Sequence, residues 1–334
     1  MAKIGKFLLI GRPAMAMAFG ALICALLGTA APAAAGFKEG QAAYQKGDLP
    51  ATLKEFLPLA KAGNSLAQVR LAEIYFNGGT GVERDIPRGM EWLRKAAAAG
   101  NGDAVFFLGR VLVEGGLGQA KDVPQGVRLL EIAAKAGNVQ AMGVLAPIYL
   151  EGADGVAKDE TRAVALYRAV AETGNGVAWR VLARLAGEGV GGLPRDWATV
   201  ADFLARAAAL GDVPSHFYLG QMFLRGDGVP KDQARGVQLI QVAADAGDYP
   251  AMMMLASLYR SGEAGLRSDD EAALKWLTIV LNRAPQGDAY FQASLAAQEL
   301  RNRLSGAAIA RAQEEAARWQ PRQLKPVPLP AIKP

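Results

Sequence analysis

The chain has 334 residues, of which 51% are hydrophobic and 7% aromatic, so a mostly disordered protein is excluded. Its formal net charge is +5, but Lys3, Lys6 and Arg12 supply three of those charges within a stretch of 35 residues that contains no acid. The remainder is close to neutral, which excludes a strongly basic nucleic-acid-binding protein.

The N-terminus has the order of features that is typical of a secretory signal peptide. Residues 1–12 are basic, residues 13–35 carry no charge, and the stretch ends in Ala-Pro-Ala-Ala-Ala. This order predicts a signal peptide over residues 1–35, cleaved near Ala35 or after Ala33, and a protein that is periplasmic or secreted. An uncharged stretch of this length is also long enough to span a bilayer, so an uncleaved membrane anchor is the alternative.

Cys24 is the single cysteine of the chain and lies inside the apolar part of this segment. Ile23 precedes it, whereas attachment of a lipid needs a small residue there, so we expect no lipid anchor. Cleavage would remove Cys24, and the mature chain would then have no disulfide, no thiolate nucleophile and no cysteine-ligated metal.

From residue 63 onward, a glycine followed by Asn or Asp recurs at intervals of 37 residues, the last interval being 36. These glycines are Gly63, Gly100, Gly137, Gly174, Gly211 and Gly247. Each is followed by a small residue four positions later, a leucine eight positions later and another glycine fifteen positions later. Steps of four that end at a glycine predict one helix and its C-terminal stop.

A second helix is predicted after each glycine-rich loop, because an aspartate follows the loop at a constant place. These aspartates are Asp85, Asp122, Asp159, Asp196, Asp232 and Asp269. Asp is a favourable N-cap, since its side chain accepts a hydrogen bond from a free backbone N–H of the first turn. Helices of about 12 residues are marginal alone, so the pairs are expected to stack on one another.

The predicted fold class is therefore all-α, an α-solenoid of antiparallel helix pairs over residues 36–320. The predicted units are 37–63, 64–100, 101–137, 138–174, 175–211, 212–247 and 248–287, followed by capping helices over 288–320. Ser305 is the expected N-cap of the last helix. The tail over residues 321–334 contains Pro326, Pro328, Pro330 and Pro334 and is expected to be extended and disordered.

Residues 67–100 read AQVRLAEIYFNGGTGVERDIPRGMEWLRKAAAAG, and the other units repeat this pattern. The pattern resembles the Sel1-like repeat, a relative of the tetratricopeptide repeat, over about residues 40–287. The resemblance implies a right-handed superhelix. Units three and five depart from the pattern in their loops, at residues 114–118 and 188–193, where altered loops are expected.

The resemblance implies a non-enzymatic adaptor in the bacterial periplasm that binds a protein or peptide partner in a concave groove. Such proteins assemble envelope or polysaccharide-secretion machinery, or restrain a membrane sensor kinase. One alternative is an enzyme that binds or hydrolyses β-lactams, but the Sel1-like proteins linked to that activity are rich in cysteine. The other alternative is a scaffold tethered to the inner membrane by an uncleaved N-terminus.

Transfer of tetratricopeptide geometry places variable positions of each first helix on the concave face. The candidate partner-binding residues are Phe106, Arg110, Arg180, Arg184, Phe217, Gln221 and Arg260. Arginine and aromatic side chains are enriched among the residues that anchor protein interfaces. The alternative interpretation is that these side chains are only solvated.

No catalytic residue, cofactor or metal site is predicted. His216 is the only histidine, so neither a histidine-based triad nor a site with several histidines can form, and we expect His216 to pack or to lie on the surface. Residues 187–192 match G-x-G-x-x-G, but they follow a predicted helix, whereas a nucleotide site needs a strand there.

Overall fold

In the computed structural model, residues 31–326 are described, with side chains from residue 36 onward. The predicted signal peptide lies outside the described residues, except that the backbone of residues 31–35 begins the first helix. The described part of the chain contains sixteen α-helices and no strands beyond isolated bridges, which confirms the all-α solenoid. None of these helices has both the length and the apolarity of a membrane-spanning segment.

The helices follow one another at short and regular intervals. They are α1 Ala31–Gln45, α2 Leu49–Lys61, α3 Ser65–Asn77, α4 Ile86–Ala98, α5 Gly102–Glu114, α6 Val123–Lys135, α7 Val139–Glu151, α8 Glu160–Glu172, α9 Gly176–Glu188, α10 Trp197–Ala209, α11 Val213–Arg225, α12 Gln233–Asp245, α13 Tyr249–Ser261, α14 Asp270–Arg283, α15 Asp288–Arg301 and α16 Gly306–Arg318. The first fourteen pack as seven pairs, one for each unit.

The predicted N-caps are present at the start of both helices of the units. Asp85 accepts a hydrogen bond from the N–H of Arg88 at 2.9 Å, and Asn101 accepts one from the N–H of Ala104 at 3.0 Å. The other predicted aspartates and turn residues cap their helices in the same way, and Ser305 caps α16. Since each cap acts within one turn of its own helix, it can be recognised from local sequence.

The recurrent alanines and leucines of the first helices form the centre of the stack. Leu71, Leu145, Leu182, Leu219 and Leu255 are each at most 1% exposed. The buried side chains fall into three successive clusters, which we call the N-terminal cluster (units one to three), the central cluster (units three to six) and the C-terminal cluster (unit six to the closing helices). Each unit thus buries its apolar face against its neighbours, as expected for helices too short to stand alone.

The loops of units three and five depart from the repeat pattern in sequence, and each can be compared with the loop of unit two. In unit three, Gly116 bridges Gln119, as Gly79 bridges Val82 in unit two. After this bridge the loop is altered, because Leu117 has a left-handed backbone with φ 49° and a Cβ at Gly118 would meet no described residue within 4 Å. In unit five, Gly189 caps α9 in the left-handed conformation, with φ 71° and ψ 34°, and no such bridge is found in that loop. Units six and seven also end their first helix at a left-handed glycine, and no bridge is found among the described residues of their loops, so an altered loop peculiar to unit five stays a prediction.

The closing helices do not repeat the pairing of the units. Both α15 and α16 pack against α14, so the stack ends in a three-helix group around α14. The sequence predicts a disordered tail from Pro321. The first residues of this tail instead lie against earlier turns of the stack, and the N–H of Arg322 donates a hydrogen bond to the carbonyl of Asp245. Residues 327–334 lie outside the described residues, so disorder there stays a prediction.

Candidate binding pocket

The first helices of the units lie on the inner side of the curved stack. Beyond the contacts within and between adjacent helices, α5 contacts α7, and where the stack closes α13 contacts α15 and α14 contacts α16. Within the regular units, the contact between α5 and α7 joins two first helices, and we infer from it that the first helices line the concave side, where the elements of a curved stack approach one another.

The predicted groove residues are spread along this side, and they differ in how far they are buried and in which residues they contact. Phe106 and Phe217 are only 9% and 8% exposed and belong to the central and C-terminal clusters, so their rings serve the core. Arg110 lies over the rings of Phe106 and Phe107, and Arg260 pairs with Glu299 of α15 at 3.1 Å. These four residues do not come together at one site.

Arg180, Arg184 and Gln221 do come together, around a cavity of about 520 Å³ between α9, α10 and α11. The floor of this cavity is apolar. It consists of Val181 and Ala183 of α9, Val200 and Leu204 of α10, and Met222 of α11. A cavity of this size with an apolar floor lies in the range of ordinary ligand pockets.

Two exposed aromatic side chains form the walls of the pocket. Trp197 is 55% exposed and Tyr218 is 47% exposed, although both belong to residue types that usually gain from burial. The backbone of Trp197 is held in place by the loop of unit six, because Gly228 approaches it so closely that a Cβ there would overlap its carbonyl group. The pocket therefore presents an indole to solvent from a closely packed backbone position.

The charged groups at the rim are of two kinds. Arg180 pairs with Asp212 at 2.8 Å, and Arg184 pairs with Glu188 at 3.0 Å. In contrast, the side chains of Arg225 and Asp227 form no ion pair or hydrogen bond with any residue between 31 and 326. These two opposite charges remain available to a partner.

The inner end of the pocket borders a partly buried charged cluster. The carboxylate of Asp212 is only 5% exposed, and Asp248 lies close to it. Burial raises the pKa of Asp248 and the Asp212 carboxylate adds to the rise, whereas the N–H of Ala251 and the guanidinium of Arg180 lower it. Arg180 thus links units five, six and seven electrostatically.

The sequence model of the Sel1 repeat matches residues 65–101, 102–138, 139–175, 213–248 and 250–279, which together make up more than half of the chain. The chain belongs to the Sel1 repeat family. The Sel1 repeat fold is typically a scaffold for protein interaction.

Two solved Sel1 repeat structures resemble most of this chain. One is c5321, described as a protective antigen of uropathogenic Escherichia coli with an SLR fold; it is 25% identical, has a TM-score of 0.64, and the match covers 86% of this chain and 60% of that one. The other is a Sel1 repeat protein of Oxalobacter formigenes, with 27% identity, a TM-score of 0.55, and coverage of 72% and 96%. The present chain therefore spans only 60% of the length of c5321. No curated protein matches the sequence.

Unit five is the internal unit that the Sel1 model does not match, since residues 176–212 fall between two matched repeats. Nevertheless α9 and α10 pack as closely as the other helix pairs. Two of the three helices that form the pocket, α9 and α10, thus lie where the sequence has left the Sel1 pattern, whereas α11 lies in a matched repeat. Loops vary more in sequence than the elements they join, and binding residues are often placed on loops held by a rigid scaffold.

The wall residues Trp197 and Tyr218 and the rim residues Arg225 and Asp227 were not predicted from the sequence. One signal pointed to them. Trp197 directly follows the cap Asp196, at the first position of a Sel1 second helix that is Ile86, Val123 or Glu160 in earlier units. A tryptophan directly after a departing loop marks this unit, but the sequence does not show that α11 faces it.

The remaining candidate sites serve the fold. His216 is 6% exposed, and its Nδ1 lies 3.1 Å from the carbonyl oxygen of Asp212, so it is a packing residue. The glycines at 187–192 lie at the end of α9 and in the loop that follows it, in place of the strand and helix of a nucleotide site. Among the described residues, no group of three His, Cys, Asp or Glu side chains is arranged to hold a metal.

Proposed function

We propose that this Sel1 repeat protein is a non-enzymatic periplasmic adaptor that binds a protein or peptide through the pocket between α9, α10 and α11. The observation that carries this proposal is the presence of two exposed aromatic rings, Trp197 and Tyr218, beside the charges of Arg225 and Asp227, which have no partner between residues 31 and 326. Tryptophan, tyrosine and arginine are the residue types that dominate binding energy at protein interfaces.

The chemistry of the pocket suits an exposed apolar side chain of a partner. Leu204 and Met222 provide a buried apolar floor, and the two rings provide walls that lose solvent contact when a side chain enters. Arg225 and Asp227 then offer a donor and an acceptor to the polar groups that flank such an anchor. A partner with an apolar side chain between polar groups matches both the apolar interior of the pocket and the two charges at its rim.

The periplasmic location rests on the basic, apolar and small-residue order of residues 1–35. N-terminal sequencing of the protein recovered from a periplasmic extract is expected to begin after Ala33 or Ala35. Recovery of the intact N-terminus from the membrane fraction would instead support the tethered scaffold.

The pocket is tested by capture of partners from an envelope extract. We expect Trp197→Ala and Tyr218→Ala to lose the captured protein, because truncation of an interface anchor costs about 2 kcal/mol or more in binding. Both side chains are about half exposed, so thermal melting should change little. Arg180 is a less suitable target, since its replacement would leave the nearly buried Asp212 carboxylate unpaired.

A matched control is available on α15, where Leu295 is 67% exposed and lies outside the pocket. Leu295→Ala removes an exposed apolar side chain and should leave capture unchanged. Equal capture by the parent, the pocket variants and the control would show that the pocket is not the binding site.

A further inference from the structure

The extended segment that follows α16 is anchored at its start. The carbonyl of Trp319 accepts a hydrogen bond from Nη2 of Arg283 at 2.9 Å, and the same guanidinium lies over the Trp319 ring at 5.1 Å. The Trp319 side chain also packs against the C-terminal cluster. The segment therefore leaves the closing helices from a fixed point.

From Trp319 the segment runs back across the turns that join successive units. The N–H of Arg322 donates to the carbonyl of Asp245, the last residue of α12, at 2.7 Å. Pro321 lies beside Gly247, with its Cβ 3.6 Å from the place that a Cβ of Gly247 would occupy. Leu324 lies beside Gly211 in the same way, with its Cβ 3.9 Å from the place that a Cβ of Gly211 would occupy.

The register of these contacts matches the spacing of the array. Three extended residues, from Pro321 to Leu324, span about 10 Å. Gly247 and Gly211 are the equivalent turns of adjacent units, and one lies beside Pro321 and the other beside Leu324. One residue in three of an extended chain can therefore meet one turn in each unit.

The same turns elsewhere in the chain are open. Gly63, Gly100, Gly137 and Gly174 occupy equivalent positions, and a Cβ at any of them would meet nothing within 4 Å among the described residues. The segment covers the two turns that it reaches, so the contact is not a general property of this edge of the stack.

We propose that residues 319–326 form an intramolecular clasp that fastens the closing helices to units five, six and seven. In a repeat array each unit otherwise contacts only its neighbours. The clasp joins residues that lie far apart in the sequence, and it reaches Gly211. The next residue, Asp212, caps α11 and pairs with Arg180 of the pocket. The clasp thus steadies the unit junction at which the pocket lies.

Engineered cysteines test the register of the clasp. Cys24→Ser removes the only natural thiol, and Gly211→Cys with Leu324→Cys then places two Cβ atoms at a separation of 3.9 Å. Disulfides prefer about 3.8 Å between these atoms, so we expect the pair to oxidise within one chain, as seen by peptide mass mapping. The control pair, Gly174→Cys with Leu324→Cys, carries a similar left-handed strain one unit earlier and should stay reduced.

Failure of the first pair to oxidise, or equal oxidation of the two pairs, would overturn the clasp. Truncation provides a second measurement that needs no cysteine at a strained glycine. Removal of residues 321–334 should speed amide exchange at residues 210–213 and 246–249 roughly tenfold, about the effect of one lost hydrogen bond. Removal of residues 327–334 keeps the clasp and is the control. Equal exchange in both truncated chains would contradict the proposal.

Discussion

Asp212 shows how one residue can serve the fold and the pocket together. Its carboxylate caps α11 by accepting from the N–H of Ser215 at 3.2 Å, and it also holds Nε of Arg180 at 2.8 Å. Earlier units have asparagine at this place, which caps a helix equally well but carries no charge. The change to aspartate therefore adds an ion pair between units five and six without loss of the cap.

His216 allows a direct measurement at this same turn. Burial lowers its pKa, and this effect outweighs the hydrogen bond to the Asp212 carbonyl and the Asp212 charge, both of which raise it. Because it is the only histidine, one imidazole signal in an NMR titration of the untagged protein reports on it. We expect a pKa below the ordinary value of about 6.5.

The sign of the linked stability change follows from that shift. A depressed folded-state pKa means that the contribution of neutral His216 is present above about pH 6.5 and is lost as the pH falls through the folded-state value. His216→Gln should therefore weaken the dependence of the melting temperature on pH in this window. A measured pKa at or above 6.5 would contradict the buried, neutral imidazole.

The glycine-rich loops act as contacts between neighbouring elements. In four units a loop glycine lies against the start of the second helix of the preceding unit: Gly81 against Pro50, Gly155 against Pro124, Gly191 against Glu160 and Gly228 against Trp197. All four have φ between 65° and 76°. The glycine thus supplies both a left-handed backbone and the space for a helix end.

These two roles can be separated by comparing two loops. Gly228→Ala and Gly118→Ala share the cost of a left-handed backbone, with φ of 65° and 71°. A Cβ at Gly118 would meet nothing within 4 Å, whereas at Gly228 it would overlap the Trp197 backbone. We expect Gly228→Ala to cost about 1–3 kcal/mol more in the free energy of unfolding, the usual effect of overpacking. Equal unfolding curves would show that the two loops tolerate a side chain alike.

At the scale of the whole molecule, the presence of three core clusters means that the stability of each helix depends mainly on the cluster to which it belongs. Trp92 belongs to the N-terminal cluster and is 7% exposed, while Trp276 holds the same register in unit seven and is 2% exposed. Since each unit contacts mainly its neighbours, damage to one cluster should weaken with distance along the array.

The two tryptophans provide a matched pair for a test by hydrogen exchange. Trp92→Ala should cost about 3–5 kcal/mol and speed exchange in α3 to α5 while α13 to α16 stay near the parent values. Trp276→Ala should show the reverse distribution. A uniform rise over all helices in both variants would indicate a single cooperative unit in place of a graded array.

Much of the fold could be predicted because its signals are short-range and repeated. A cap such as Asp85 acts within three residues, and a stop such as Gly78 ends the helix that precedes it. The repeat then multiplied each weak local signal, so the helix pairs and the Sel1 resemblance could be recognised together. Within the candidate site, only Arg180, Arg184 and Gln221 could be placed in advance, by their position on the first helix.

The sequence by itself determined the helices, their caps, the stacking of seven units and the resemblance to the Sel1 repeat, because those depend on contacts within a turn or between near-identical neighbours. The tertiary structure decided the burial of Phe106 and Phe217, the pocket walls of Trp197 and Tyr218, and the contact of Leu324 with Gly211. These features depend on the angle and distance between helices, which result from the packing of many side chains at once. No local pattern in the sequence predicts the combined result of that packing.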